Sequence, residues 1–178
     1  MIDLKAVTDE YQKRSLLAKN ISDRFYVIGM AAVDDGMGLS KNGKMVWRHE
    51  EDLEDFWWHV GGQAVVAGQG TIDDIGHLLE ENGCKVYPFT SEGLDKLFKT
   101  DQSYNDFLDE DTVFVIGGSN VYKAFIPYMD RMRLTFINGH HGCDHLFPMK
   151  ELCKYLQPEW VTAKYEDGAI QVTWEKRG

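Results

Sequence analysis

The sequence predicts an α/β domain with a mostly parallel central sheet, an antiparallel C-terminal strand and helices on both faces. Three observations carry this. Runs such as Phe25–Val33, Ala64–Ala67 and Thr112–Ile116 are apolar without alternation, the pattern of strands buried on both faces. Segments of helical period lie between them, which implies parallel strands joined by crossovers. Near the C-terminus, 159–166 and 169–175 are separated by only a short turn, as in an antiparallel pair.

The elements follow in order. Residues 1–20 read as an amphipathic helical extension, with Leu4, Val7 and Tyr11 three or four apart. Residues 21–178 form the main domain. Its first strand spans Phe25–Val33 and ends at Asp34-Asp35-Gly36-Met37-Gly38. A glycine-containing loop then runs to Trp47. Glu50–Val60 is helical, with Leu53, Phe56, Trp57 and Val60 on one side, and Gly61-Gly62 stops it. Ala64–Ala67 is a short strand. Gly68 to about Leu79 reads as a loop leading into a helix, and Lys85–Thr90 as a strand. Residues 91–110 are polar and suit short helices. Thr112–Ile116 is a strand ended by Gly117-Gly118. The helix Asn120–Phe125 follows and is expected to end at Pro127. Arg133–Asn138 is the next strand.

The chain has 178 residues, of which 43% are hydrophobic and 12% aromatic, enough for one well-packed core. Its net charge of −10 argues against nucleic acid or anionic lipid as a partner. Cys84, Cys143 and Cys153 are odd in number and follow no disulfide or metal spacing. A reducing, cytoplasmic location is the expectation. No run is apolar enough to span a membrane.

Four stretches can carry chemistry. In Trp47-Arg48-His49-Glu50-Glu51-Asp52-Leu53, Asp52 lies one turn before Phe56 and shares its face. A carboxylate on that apolar face needs hydrogen bonds, and burial would raise its pKa and suit it to proton transfer. The three acids equally suit the positive end of a helix, and composition alone favours that simpler reading. In Val113–Tyr122, a buried strand runs into Gly117-Gly118 and then a helix, where backbone N–H groups can face an anion. Ala64–Thr71 repeats the pattern around Gly68 and Gly70. Either stretch also fits an ordinary tight turn. The run His140-His141-Gly142-Cys143-Asp144-His145 holds several metal-binding types without a paired spacing, so a polar loop is expected and no metal site.

Taken in order, these pieces resemble dihydrofolate reductases from about Arg24 to the C-terminus. The resemblance rests on Ala32-Val33-Asp34, Trp47…Asp52-Leu53…Phe56, Gly68…Thr71…Ile75-Gly76, Ile116-Gly117-Gly118…Val121-Tyr122, Leu134-Thr135 and Asp144…Phe147-Pro148. It implies the dihydrofolate reductase-like fold and NADPH-dependent reduction of dihydrofolate or a related pterin. Asp52 would orient the pterin and assist protonation, with Thr135 hydrogen-bonded to it and Trp47 anchoring the active-site loop. Ile28, Met30, Met45, Leu53, Phe56 and Ile75 would wall the pterin. Ile116 and Tyr122 would lie beside the nicotinamide, Tyr122 among the catalytic group. Gly38, Gly68, Gln69, Thr71, Thr90, Ser91, Ser119 and Val121 would contact the cofactor, with Gly117-Gly118 joined by a cis peptide. Asp144 matches a residue linked to loop closure.

The departures cluster. Gln69 stands where the family has an arginine for the 2′-phosphate, and Gly70 and Asn120 replace positions that are often basic. Gln69 can hydrogen-bond but carries no charge, so NADH is admitted beside NADPH. Cys84 stands where an arginine forks onto the glutamate carboxylate of folate, and Lys85 should point to the opposite face. Trp57 and His77 replace other basic positions, Val46 replaces a proline, and the loop is about two residues longer. Two other readings follow. The chain can keep the fold and the acid for a pterin without a glutamate tail or another small substrate. Or it can be a non-catalytic binding module, with residues 1–20 serving a partner. Retention of Asp52, Trp47, Thr135 and Gly117-Gly118 favours an enzyme. Composition leaves oligomeric state open.

Overall fold

The computed structural model describes residues 26–89 and 110–178. The strands are β1 (Tyr26–Val33), β2 (Gly38–Ser40), β3 (Ala64–Gly68), β4 (Lys85–Phe89), β5 (Thr112–Val115), β6 (Arg131–Phe136), β7 (His145–Leu146), β8 (Leu156–Lys164) and β9 (Ile170–Lys176). The helices are α1 (Glu50–Val60), α2 (Gln69–Glu81), α3 (Ser119–Phe125) and α4 (Met149–Tyr155), with a 3-10 turn over Ile126–Tyr128.

The main sheet has seven strands in the order β4-β3-β5-β1-β6-β9-β8. Pairing is parallel from β4 to β6 and antiparallel through β9 and β8. The strands without alternation are the ones covered on both faces. Val27, Val33, Val113, Val115 and Val66 point to one side, where α3, the 3-10 turn and α4 pack Phe125, Ile126 and Leu152 onto them. Met30, Phe114, Val65 and Ala67 point to the other side, under Val60 of α1 and Leu79 of α2. Each such fully buried large side chain stabilises the fold by roughly 1.5–3 kcal/mol.

Helix α1 has the expected bounds. Leu53, Phe56, Trp57 and Val60 meet the sheet-side core or the cavity beside it. Its N-cap is His49, whose Nδ1 accepts the Asp52 N–H at 3.2 Å. Gly62, at φ 74°, turns the chain away after it.

Several expectations change. No loop precedes α2, because Gly68 both ends β3 and caps the helix. A Cβ on Gly68 would stand 3.1 Å from Val121 Cγ2, so a glycine lets the two turns meet. Helix α3 ends at Phe125, as expected, and Pro127 follows it. It sits at the start of the 3-10 turn, where its missing N–H forfeits no bond. Strand β6 begins at Arg131 because Ile28 of β1 pairs with it there, and it stops at Phe136. Helix α4 and the small β2–β7 pair were not expected; both are too short to show a period. The expected helices at 1–20 and 91–110, Glu110 apart, and the last strand residue Thr90 lie outside the described residues. Among the described residues no helix is long and apolar enough to cross a membrane.

Gly38 opens β2 directly against Cys143 and Asp34. A Cβ there would crowd Cys143, 2.7 Å from its sulfur, and lie 2.9 Å from Asp34 Oδ1. Gly38→Ala is expected to cost about 1–3 kcal/mol, read as a lower urea midpoint. An unchanged midpoint would show that the 34–38 turn relaxes freely.

Candidate active site

The C-terminal ends of the parallel strands open into a cavity of about 1160 Å³. This is the usual place for a ligand in an open α/β sheet. Met30 and Ala32 of β1, Gly68 of β3, Phe89 of β4 and Ile116 after β5 form its floor. Helix α1 adds Asp52, Leu53, Phe56 and Trp57, and α2 adds Thr71, Ile75 and Leu78. The 39–49 loop supplies Leu39, Met45, Trp47 and Arg48 at the rim.

Asp52 is the carboxylate on the apolar wall. Thr135, 1% exposed on β6, donates to Asp52 Oδ1 at 2.6 Å. Tyr165, in the β8–β9 hairpin, donates to the same oxygen at 3.2 Å. Burial pushes the Asp52 carboxyl above its ordinary value, and the negative charge of Asp55 adds to this. The bonds from Thr135 and Tyr165 and the nearby His49 oppose the rise without cancelling it. Behind Thr135, Gln171 of β9 lies 3.5 Å from its hydroxyl and donates to Asp55 Oδ2 at 2.9 Å. Thr162 donates to Gln171 Oε1 at 3.0 Å, so this buried polar seam is satisfied.

Opposite the acid, two glycine turns meet. The Gly68 N–H donates to the Gly117 carbonyl at 2.8 Å, and the Gly117–Gly118 peptide is cis. A Cβ on Gly70 or Gly118 would meet nothing within 4 Å, so space for a ligand lies against the backbone there. Ser119 Oγ is buried with no hydrogen-bond partner, and Ser119 lines the cavity. Helix α2 starts without a side-chain cap, leaving its first N–H groups free for an anion. An orphaned hydroxyl, open backbone and uncapped helix start fit a phosphorylated cofactor. Gln69 donates to Asp73 Oδ1 at 2.7 Å. Arg48 is the sole Lys or Arg among the described lining residues, and it pairs with Glu50.

A second carboxylate builds the loop beside the site. Asp34 is 3% exposed. Gly36 and Gly38 donate their N–H groups to Oδ1 at 3.0 and 2.8 Å, and the His141 N–H donates to Oδ2 at 2.9 Å. The Cys143 thiol adds a weaker bond at 3.7 Å. Burial alone would raise the Asp34 carboxyl, but these four donors outweigh it and hold the group below its ordinary value. The His141 ring then packs on Trp47, centroids 5.1 Å apart. Asp144 accepts the Asn42 N–H at 3.2 and 3.1 Å, tying the 41–44 turn to the same segment.

The dihydrofolate reductase family model matches residues 26–170. The chain belongs to this family. The dihydrofolate reductase HdrB of Haloferax volcanii is 28% identical over 170 residues, spanning 86% of this chain and 84% of that protein. The dihydrofolate reductase of Bacillus subtilis is 26% identical over 141 residues, 77% of this chain and 81% of that protein. A solved structure of dihydrofolate reductase from Enterococcus faecalis, complexed with NADP(H) and RAB-propyl, has a TM-score of 0.66 at 19% identity. It covers 86% of this chain and 97% of that one. At that identity the likeness concerns the fold.

Against the dihydrofolate reductase pattern, most predicted site residues converge. Asp52, Trp47, Thr135, Tyr122, Met30, Met45, Leu53, Phe56, Ile75 and Ile116 line one cavity with Gly68, Gln69, Thr71, Gly117, Gly118, Ser119 and Val121. Three are placed differently. Ile28 is half-buried against the core cluster that holds Met30, and it does not line the cavity. Gly38 is spent on close packing against Cys143, away from the cavity. Tyr122 lines the cavity, but its hydroxyl is committed to the Met30 carbonyl at 2.6 Å, which makes it a tether between α3 and β1. Thr90 and Ser91 lie outside the described residues. Cys84, half-buried against the core, turns its thiol onto the Val60 carbonyl at 3.3 Å. The His140–His145 run serves the Asp34 and Asp144 bonds, and among the described residues no three metal-binding side chains converge. His49, Tyr165 and Gln171 were missed. Tyr165 and Gln171 act through tertiary contact that no local spacing announces, whereas His49 caps α1 three residues before Asp52, at a position usually held by Ser, Thr, Asp or Asn.

Because the Asp34 carboxyl is held low, its contribution is present above the unfolded value near 3.8 and is lost as pH falls through the lower folded value. Asp34→Asn is expected to cost about 1–3 kcal/mol near neutral pH. The gap to the parent should narrow below about pH 4. Urea midpoints at the two pH values check this, and a gap constant with pH would remove Asp34 as the charged centre of the loop.

Proposed function

We propose that the protein reduces 7,8-dihydrofolate to tetrahydrofolate with NADPH, and that Asp52 assists protonation of the pterin. The observation that carries this reading is a half-buried carboxylate, raised above its ordinary value, in an apolar cavity facing two glycine turns. The nicotinamide cofactor supplies the hydride. Thr71, Gly117, Gly118 and Ser119 would hold it, through backbone N–H groups and the Ser119 hydroxyl, with Gly68 offering close approach while its own N–H joins the two turns. Gln69 would offer an amide, and no charge, to a group at the ribose 2′ position, which keeps NADH as a competing cofactor. Asp52 accepts hydrogen bonds from the amino and ring N–H groups of the pterin, and burial, by raising its carboxyl above the ordinary value, eases its protonation. Leu53, Phe56, Trp57 and Ile75 flank the ring with apolar surface and fix its orientation.

A second reading concerns the substrate's far end. The Cys84 thiol faces the core, and Arg48 at the rim is already paired. Both favour a pterin whose recognition ends at the ring, without a carboxylate tail.

Following nicotinamide absorbance with dihydrofolate, using NADPH and NADH in parallel, tests the reaction and the cofactor together. Asp52→Asn is expected to keep the far-UV spectrum and lower kcat/KM at least about 100-fold. Full turnover in that variant would remove Asp52 from the mechanism, and no oxidation by the folded parent would turn the reading toward another substrate or a binding module.

A further inference from the structure

The hairpin between β8 and β9 folds back onto the first turn of α1. Within it, the Tyr165 N–H donates to the Ala169 carbonyl at 2.9 Å, and the Gly168 N–H donates to the Tyr165 carbonyl at 3.0 Å. These bonds fix the backbone that carries the Tyr165 ring. The ring packs on His49 with centroids 4.9 Å apart. His49 Nε2 lies 3.0 Å from Asp167 Oδ2 on the same hairpin. Since His49 Nδ1 accepts the Asp52 N–H, Nε2 carries the ring proton and donates to Asp167. The hairpin therefore grips the helix cap and the acid together.

Tyr165 is not a cavity-lining residue, so it meets Asp52 from the side away from the ligand space. Its hydroxyl shares Oδ1 with Thr135, and no described donor reaches Oδ2. We infer that Tyr165 is a positioning residue for Asp52: with Thr135 it saturates Oδ1 and presents Oδ2 to the cavity as the oxygen that meets the ligand. The inference rests on Asp52 as the working acid.

The hydroxyl is suited to that task. Burial and the charges of Asp52, Asp55 and Glu51 push the Tyr165 phenol far above its ordinary range, so it stays a donor at any working pH. Asp52 faces Asp55 and His49 from its own helix, Thr135 from β6 and Tyr165 from the hairpin. Arg133 of β6 acts on Asp55 and Tyr165. Among these, the Thr135 and Tyr165 bonds favour the ionised carboxylate. Removing one of them must move the titration of Asp52 upward.

Tyr165→Phe keeps the ring on His49 and deletes only the donor. In dihydrofolate reduction, the limb of the pH profile set by the acid is expected to move up by about one pH unit. The KM for dihydrofolate should rise several-fold as Oδ2 loses its fixed aim. A second measurement is independent of turnover. Carboxyl carbon NMR of ligand-free protein with labelled aspartate, assigned with Asp52→Asn, should show the Asp52 midpoint moving the same way in Tyr165→Phe. Coincident midpoints in the parent and the variant would overturn the inference whatever the activity. A shifted midpoint in a protein that does not oxidise NADPH with dihydrofolate would uphold Tyr165 and defeat the proposed substrate.

Discussion

A carboxylate kept on an apolar wall is the constraint that organises this molecule. Asp52 is tolerable there only because donors meet it inside the fold. Thr135 can donate only if β6 lies beside β1 with its register set at Ala32↔Thr135. Gln171 can fill the space behind Thr135 only because the same register pairs it across to β9. Helix α1 must then lie with Asp52 and Asp55 toward these strands and Leu53 and Phe56 toward the cavity. One acid thus ties together a helix, two strands and a hairpin.

Asp34 shows the opposite solution to the same problem. Four donors enclose its two oxygens, and its charge is stabilised so well that it sits below the ordinary carboxylate range. Asp52 receives its donors on one oxygen and sits above that range. The first carboxylate is a fastener for a loop, and the second is available to a ligand. Asp34 is buried and Asp52 half-buried, yet it is Asp34 that is held low, so the difference comes from how many donors surround each and on which side.

Local pattern was enough for β1, a long unbroken apolar run, and for α1, a long periodic one. It was also enough for the glycine turns, because a strand ending in glycines has few other meanings. The pairing of Thr135 with Asp52 was legible only through family resemblance, since 83 residues separate them. Tyr165 and Gln171 had no such guide. The side-chain period places Ile28 on the same face as Met30, yet of the two only Met30 lines the cavity, a difference that no period can show. Gly38 packs closely against Cys143, and a glycine needed for close packing and one needed near a cofactor look alike in a sequence. At Cys84 the substitution was visible, but only the structure shows that the thiol faces the core.

The position of β9 has a consequence for how the molecule comes into being. Of the described strands it leaves the ribosome last, yet it lies inside the sheet between β6 and β8. Until it inserts, β6 has a bare edge, Thr135 lacks its neighbour Gln171, and the hairpin carrying Tyr165 cannot close on α1. A nascent chain can therefore assemble its parallel half while still tethered, but it cannot build the surroundings of its acid. Completion of the sheet and completion of the site are a single late event, so a half-made chain exposes an open strand edge and no working site.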